Sequence, residues 1–264
     1  MSKMMLKEFK YMAKVISISN QKGGVGKTTT TGAVAAGFKQ KGYKVLCVDL
    51  DPQSNLSFSS GAETEDCPTI YEILKGEAKT SFSIQKLPAF DIISSNILLS
   101  GIELEFTQTG REFLLKEALS SVKEKYDYIF IDTPPALSIL TVNAFTASDI
   151  IIIPMLTDIF SLQGIAQLSE TIDRVRRYCN PNLKIEGIVL TKYNKRTILS
   201  REIKGTAELI AEQLNTDIFN STIRSSVAIM EAQTNQQDIY NYAPKNAATQ
   251  DYMELVEELI ERGL

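Results

Sequence analysis

The chain has 264 residues, 44% hydrophobic and 23% charged, with a formal net charge of −4 and a pI near 5.2. These values exclude a disordered or low-complexity protein and a uniformly basic surface. It contains no histidine, which excludes hydrolytic triads, imidazole metal sites and histidine acid–base catalysis. Carboxylates, lysines, hydroxyls, backbone amides or a metal brought by a ligand must carry any chemistry. Cys47, Cys67 and Cys179 stand too far apart for zinc-type pairs and read as core or surface thiols in a reducing compartment.

From the N-terminus, residues 1–12 mix Lys3, Lys7, Glu8 and Lys10 with single apolar residues. Without a continuous apolar run they are expected to be a short extension, neither secretory signal nor membrane span, ahead of a single domain over 13–264 in the cytoplasm. Short β-branched, apolar runs then alternate with longer segments of helical period. That pattern predicts βαβ units: an α/β fold with one doubly wound, mainly parallel sheet and helices on both faces. Strands are expected at 14–19, 43–49, 90–94, 126–132, 149–155, 185–191 and, more weakly marked, 217–220. The first helix should end at Lys39-Gln40-Lys41-Gly42, with cations in the last turn and glycine beyond. Further helices are expected at 69–75, 110–125, 162–178, 200–214, 227–233 and 246–261.

The first strand runs into Lys22-Gly23-Gly24-Val25-Gly26-Lys27-Thr28-Thr29 and then a helix, the setting of a phosphate-binding loop. Glycines let backbone N–H groups turn around phosphate oxygens, and the helix N-terminus adds partial positive charge. Lys27 would reach the β- and γ-phosphates, and Thr28 would offer its hydroxyl to Mg²⁺. The leading glycine of the general G-x-x-x-x-G-K-[ST] form is missing, since Asn20-Gln21 stand there and Gly23-Gly24 fall inside the loop. With its extra lysine, KGGVGKTT resembles the deviant Walker A motif of the ParA/MinD family, which also includes the nitrogenase iron protein. The resemblance implies that Lys22 crosses a dimer interface to the phosphates of ATP bound by the partner subunit. An in-trans cation there would make dimerisation depend on ATP.

Two acidic strand ends follow. Val48-Asp49-Leu50-Asp51-Pro52-Gln53 looks like the family's second acidic motif, which puts Asp51 where the attacking water is oriented. Asp49 is expected on the other side of that strand, nearer the metal. The run ending in Phe130-Ile131-Asp132-Thr133-Pro134 has the Walker B form, so Asp132 would hold Mg²⁺ through a water, with 133–137 sensing the γ-phosphate. The passage 154–164 is similar to the family's strand-to-helix connection, with Asp158 and Gln163 where glutamate is expected. By resemblance, the adenine pocket uses the strand end at Thr191 and the loop around Ile223-Arg224-Ser225. MinD-like members have asparagine at the Thr191 position, so threonine leans towards the partition branch.

Two answers compete for what the ATP-bound dimer holds. Lys192, Lys195, Arg196, Arg201 and Lys204 against Glu202 make a local net charge of +4, suited to DNA phosphates without base readout. Asn194-Lys195-Arg196-Thr197 also resembles the arginine-bearing loop of Soj-type partition ATPases, making Arg196 the foremost DNA candidate and Arg224 a second. Arg174, Arg176 and Arg177 read as helix-surface cations. A MinD-like membrane role would need a basic amphipathic C-terminal helix. Residues 252–262 instead carry four glutamates and one arginine, which anionic lipid repels, so that helix should pack on the domain. The paired bridging cysteines of a cluster carrier are absent. With a short extension in place of a helix-turn-helix domain, the resemblance implies a small Soj-like ATPase. Its expected associates are ATP, Mg²⁺, a second copy of itself, nonspecific double-stranded DNA in the nucleoid and a ParB-like centromere-binding partner.

Overall fold

Strands with apolar side chains on both faces must be covered on both, and this governs the fold. The structure, a computed structural model, describes residues 12–156, 161–194 and 198–264, and only the backbone at 103, 161–164, 198–201 and 203. The expected sites at Asp158, Lys195 and Arg196, and residues 1–11 of the extension, lie outside the described residues.

In chain order the elements are β1 (Lys14–Ile18), α1 (Lys27–Gln40), β2 (Val45–Asp49), α2 (Asn55–Ser60), α3 (Ile70–Leu74), β3 (Ile84–Lys86), β4 (Asp91–Ile93) and α4 (Ile102–Glu105). They continue with α5 (Leu114–Ser120), β5 (Tyr128–Asp132), α6 (Ile139–Ala147), β6 (Ile150–Leu156), α7 (Ser161–Tyr178), β7 (Lys184–Thr191), α8 (Ile198–Gln213), β8 (Ile218–Thr222), α9 (Val227–Thr234), α10 (Ile239–Tyr242) and α11 (Ala247–Glu261). The strands form one eight-stranded sheet in the order β3-β4-β2-β5-β1-β6-β7-β8. All neighbours pair parallel except β3 with β4.

Strand alternation divides the core in two. Val15, Leu46, Val48, Ile129 and Ile131 join the cluster built with α5, α6, α7 and α8. Ile16, Ile18, Cys47 and Phe130 join the cluster built with α1, α10 and α11. Where α1 crosses α11, Gly37 is needed for close approach: a Cβ there would stand 2.7 Å from Tyr240 Oη and from Val256 Cγ2. Asn246 caps α11 by accepting from the Ala248 amide at 2.9 Å, and Tyr252, Leu255, Val256 and Leu259 bury its apolar stripe. The C-terminal helix thus packs on the domain as its charge pattern requires. Among the described residues no helix is long and apolar enough to cross a membrane.

All seven expected strands form, with ends shifted by one or two residues. The antiparallel edge strand β3 was not foreseen, because three residues, Ile-Gln-Lys, are too few to show a period. The segment 110–125, expected as one helix, is broken into 3₁₀ turns at Arg111–Phe113 and Lys123–Lys125 around the short α5. The break has two causes, one local and one tertiary. The hydroxyls of Ser120 and Ser121 bond back to the carbonyls of Glu117 and Ala118, and the Leu115 amide donates to Asn143 Oδ1 on α6 instead of within its own helix. α6, apolar nearly all round, gave no helical period to read.

Candidate nucleotide site

β1 lies between β5 and β6 at the centre of the sheet, and its C-terminal end opens into the loop 19–26, where open α/β sheets bind ligands. Gly24 and Gly26 adopt φ of 73° and 89°, left-handed values that glycine reaches without steric cost. They deliver the chain into α1. This helix starts with four threonines after Lys27, a run that local helical propensity disfavours. Burial and site chemistry explain it: Thr31 Oγ1 lies 2.9 Å from the Lys27 carbonyl and 3.3 Å from Asp132 Oδ1, and Thr30 faces Tyr252 Oη at 3.4 Å.

Beside the loop is a cavity of about 600 Å³, lined in part by Gly23, Gly24, Gly26, Lys27, Thr28, Thr29 and Asp51, and also by Pro135, Thr191, Lys192 and Arg224. Its size suits a nucleotide. Lys27 is 7% exposed and donates from Nζ to the Lys22 carbonyl at 3.1 Å. Burial lowers its pKa, opposed by the charges of Asp132 and Asp51. An ammonium group so placed gains when an anion arrives. The Lys22 amide donates to Asn20 Oδ1. Lys22 itself is half-buried on the loop, outside the cavity lining.

The three aspartates have different surroundings. Asp51 lines the cavity and accepts from the Gln53 amide at 3.0 Å. Asp132 is fully buried, and its Oδ2 has no hydrogen-bond partner among the described residues. Burial first, then the charge of Asp49, pushes its carboxyl well above the usual range, against a hydrogen bond from Thr28. An orphaned carboxylate oxygen next to Thr28, in a cluster of like charges, fits a hard divalent cation with oxygen ligands. Asp49 pairs in register with Asp132, the expected metal residue, and, two residues on from Cys47, shares that residue's α1-facing side of the strand. Its oxygens are taken by the Asp51 amide at 3.1 Å, the Ser57 amide at 2.8 Å and Ser57 Oγ at 2.7 Å. Burial raises its pKa to about 6 despite those bonds. The side chain therefore ties α2 to the end of β2. Thr133 is buried and donates to the Ile18 carbonyl at 2.9 Å, so the segment after β5 is fastened to β1.

The end of β7 and the segments after it make contacts that sequence reading missed. Thr191 Oγ1 donates to the Val25 carbonyl at 2.7 Å, and Lys192 Nζ donates to the Gly24 carbonyl at 3.1 Å. Lys192 was grouped with the DNA candidates, yet its ammonium is turned to the phosphate loop. Arg224 makes a two-pronged pair with Asp251 of α11, at 2.7 Å for each prong, which anchors the loop after β8. Gln233 Nε2 of α9 reaches Thr29 Oγ1 at 3.1 Å. These pairs span 27 to 204 residues in sequence, and no local pattern signals them. Among the remaining basic candidates, Lys204 lies 3.9 Å from Glu208, an exposed pair of small energetic consequence; the side chain of Arg201 is outside the described atoms. Arg174 and Arg176 pair with Glu170 and Asp173 on the surface of α7.

A glycine loop leading from the central strand of a parallel sheet to the N-terminus of a buried helix is the construction of the P-loop nucleotide-binding proteins, and the family model described as AAA domain (AAA_31) matches residues 13–185. The chromosome partitioning protein ParA of Caulobacter vibrioides is 38% identical over 255 residues, 94% of each chain. The sporulation initiation inhibitor protein Soj of Bacillus subtilis is 38% identical over 258 residues, 96% of this chain and 100% of that one. The chain belongs to the ParA/Soj family. Among solved structures, cobyrinic acid a,c-diamide synthase from Mycobacterium smegmatis with bound ATP analog and magnesium is similar with a TM-score of 0.83 at 30% identity, covering 95% of both chains.

Proposed function

We propose that this protein is a DNA-partition ATPase: it binds ATP and Mg²⁺, dimerises in that state, holds DNA nonspecifically, and hydrolyses ATP faster when a ParB-like centromere-binding partner engages it. The observation that carries the reading is the double-lysine phosphate loop beside the cavity, in a chain 38% identical to ParA and Soj along nearly its whole length.

Each step has residues to perform it. The amides of 23–29 and the Lys27 ammonium bind the phosphates, while Thr28 and Asp132 would hold the metal, with Asp49 supporting them from behind. The bound cation supplies charge neutralisation to the transferring phosphoryl group. Asp51 orients the attacking water at the cavity wall. Lys22 serves the nucleotide of the facing subunit and makes closure depend on ATP. Thr191 and Arg224 belong to the wall that receives the base. Dimerisation doubles the basic stretch containing Lys195, Arg196, Arg201 and Lys204, and two such stretches on one face attract DNA phosphates in a salt-sensitive manner. The protein then resides in the cytoplasm on the nucleoid, and the cargo is a chromosome origin or a plasmid carrying the partner's site.

Sedimentation with plain double-stranded DNA in ATP, ADP or no nucleotide tests this. The native protein is expected to pellet with DNA in ATP alone. Arg196→Ala should abolish pelleting while retaining ATP-dependent dimers, and Lys22→Ala should lose both. ATP-dependent binding to anionic liposomes with none to DNA would overturn the partition reading in favour of a MinD-like one.

A further inference from the structure

The end of β7 holds two consecutive carbonyls of the phosphate loop with two consecutive side chains: Thr191 takes Val25 and Lys192 takes Gly24. Thr191 is buried, and its bond is one a close-packed wall would make in any case. Lys192 is exposed, lines the same cavity as Lys27, and adopts φ of 49°, a left-handed conformation that costs a lysine more than a glycine or asparagine. An unconstrained surface lysine has no reason to adopt it. Here that backbone conformation accompanies an ammonium that reaches back to the loop rather than into solvent.

The physical use of that contact follows from how a phosphate loop works. Its amides must face the anion, so its carbonyls must face away, because a carbonyl oxygen turned inward repels phosphate. A carbonyl turned outward into solvent is satisfied by water but not held in one orientation by it, whereas a tethered donor does hold it. Gly24, itself at φ of 73° and with open space around it, has little packing to hold its peptide in one orientation. Lys192 supplies the donor with a charge-assisted hydrogen bond. Arg224, the other cation on this wall, is committed to Asp251 and does not serve the loop.

We propose that Lys192 is a positioning residue of the phosphate loop, holding the Gly24 carbonyl away from the phosphates, so that nucleotide affinity and not DNA affinity depends on it. This rests on the ATP-site reading above. The test uses the full-length protein with Lys192→Asn, which accepts the left-handed backbone without the ammonium, and Lys192→Arg, which keeps a cationic donor. Lys192→Asn is expected to raise the KM for ATP about tenfold, the effect of one charge-assisted hydrogen bond, with kcat within about twofold. Lys192→Arg should recover most of that loss. DNA pelleting at saturating ATP, and its salt dependence, should match the native protein for both variants. An unchanged KM overturns the proposal, as does an equal loss in both variants, and weakened DNA pelleting at saturating ATP returns Lys192 to the DNA surface. If the native protein itself binds no ATP, it is the nucleotide-site reading that fails, a result separate from all of these.

Discussion

Asp51→Ala is expected to lower steady-state ATP turnover by about a hundredfold or more while leaving ATP-dependent dimers intact. The chain has no histidine, so the task of orienting and accepting a proton from water falls to a carboxylate, and positioned general bases contribute roughly 10²- to 10⁴-fold. Among the described residues lining the cavity, Asp51 alone carries a carboxylate. Asp49 is committed to Ser57 and the Asp51 amide, and Asp132 is buried behind Thr28 and Thr31. Asp51→Asn separates chemistry from structure, because it retains an acceptor for the Gln53 amide but is a poor base. Both variants should show the same loss in turnover, and light scattering with ATP should still report dimers. Turnover within twofold of native in either variant would remove Asp51 from this role.

The second large effect lies in the sheet. Gly187→Ala is expected to destabilise the protein by about 2 kcal/mol, the scale of overpacking in a full core, seen as a fall of roughly 5 °C in melting temperature. A Cβ at Gly187 would stand 2.6 to 3.0 Å from three ring carbons of Phe219. That ring cannot retreat easily: it is 1% exposed, and the Arg262 guanidinium lies 4.4 Å from its centroid. Gly187 also follows the irregularity where β7 slips against β6, Ile151 facing Ile185 and Ile152 facing Gly187, the kind of bulge at which backbones approach closely. In the double variant with Phe219→Leu the clash is relieved, so the losses should be less than additive. Strict additivity, or a melting temperature unchanged by Gly187→Ala alone, would count against the contact. The KM for ATP should stay native throughout, since neither residue lines the nucleotide cavity.

The doubly wound sheet was legible because β1, β2, β5, β6 and β7 are apolar runs separated by helical segments, and a parallel sheet buried on both faces demands such runs. The phosphate loop was legible for a related reason: its glycines, Lys27 and Thr28 act through backbone geometry and chemistry that are local to eight residues. The acidic strand ends at Asp51 and Asp132 could be picked out only by their order after that loop. The two-residue period of a strand puts Asp49 on the face of Cys47, and the register that sets it beside Asp132 is tertiary.

By itself, then, the sequence determined the fold class and the phosphate-binding loop, because hydrophobic period and glycine conformational freedom are properties of neighbouring residues. Tertiary structure decided what surrounds the loop. It turned Lys192 back to Gly24, set Thr191 on Val25, tied Arg224 to Asp251 on α11, and left one oxygen of Asp132 without a partner among the described residues. Each of those outcomes depends on groups far apart in the chain meeting across the core, where the geometry of packed elements, and not local propensity, selects the partner.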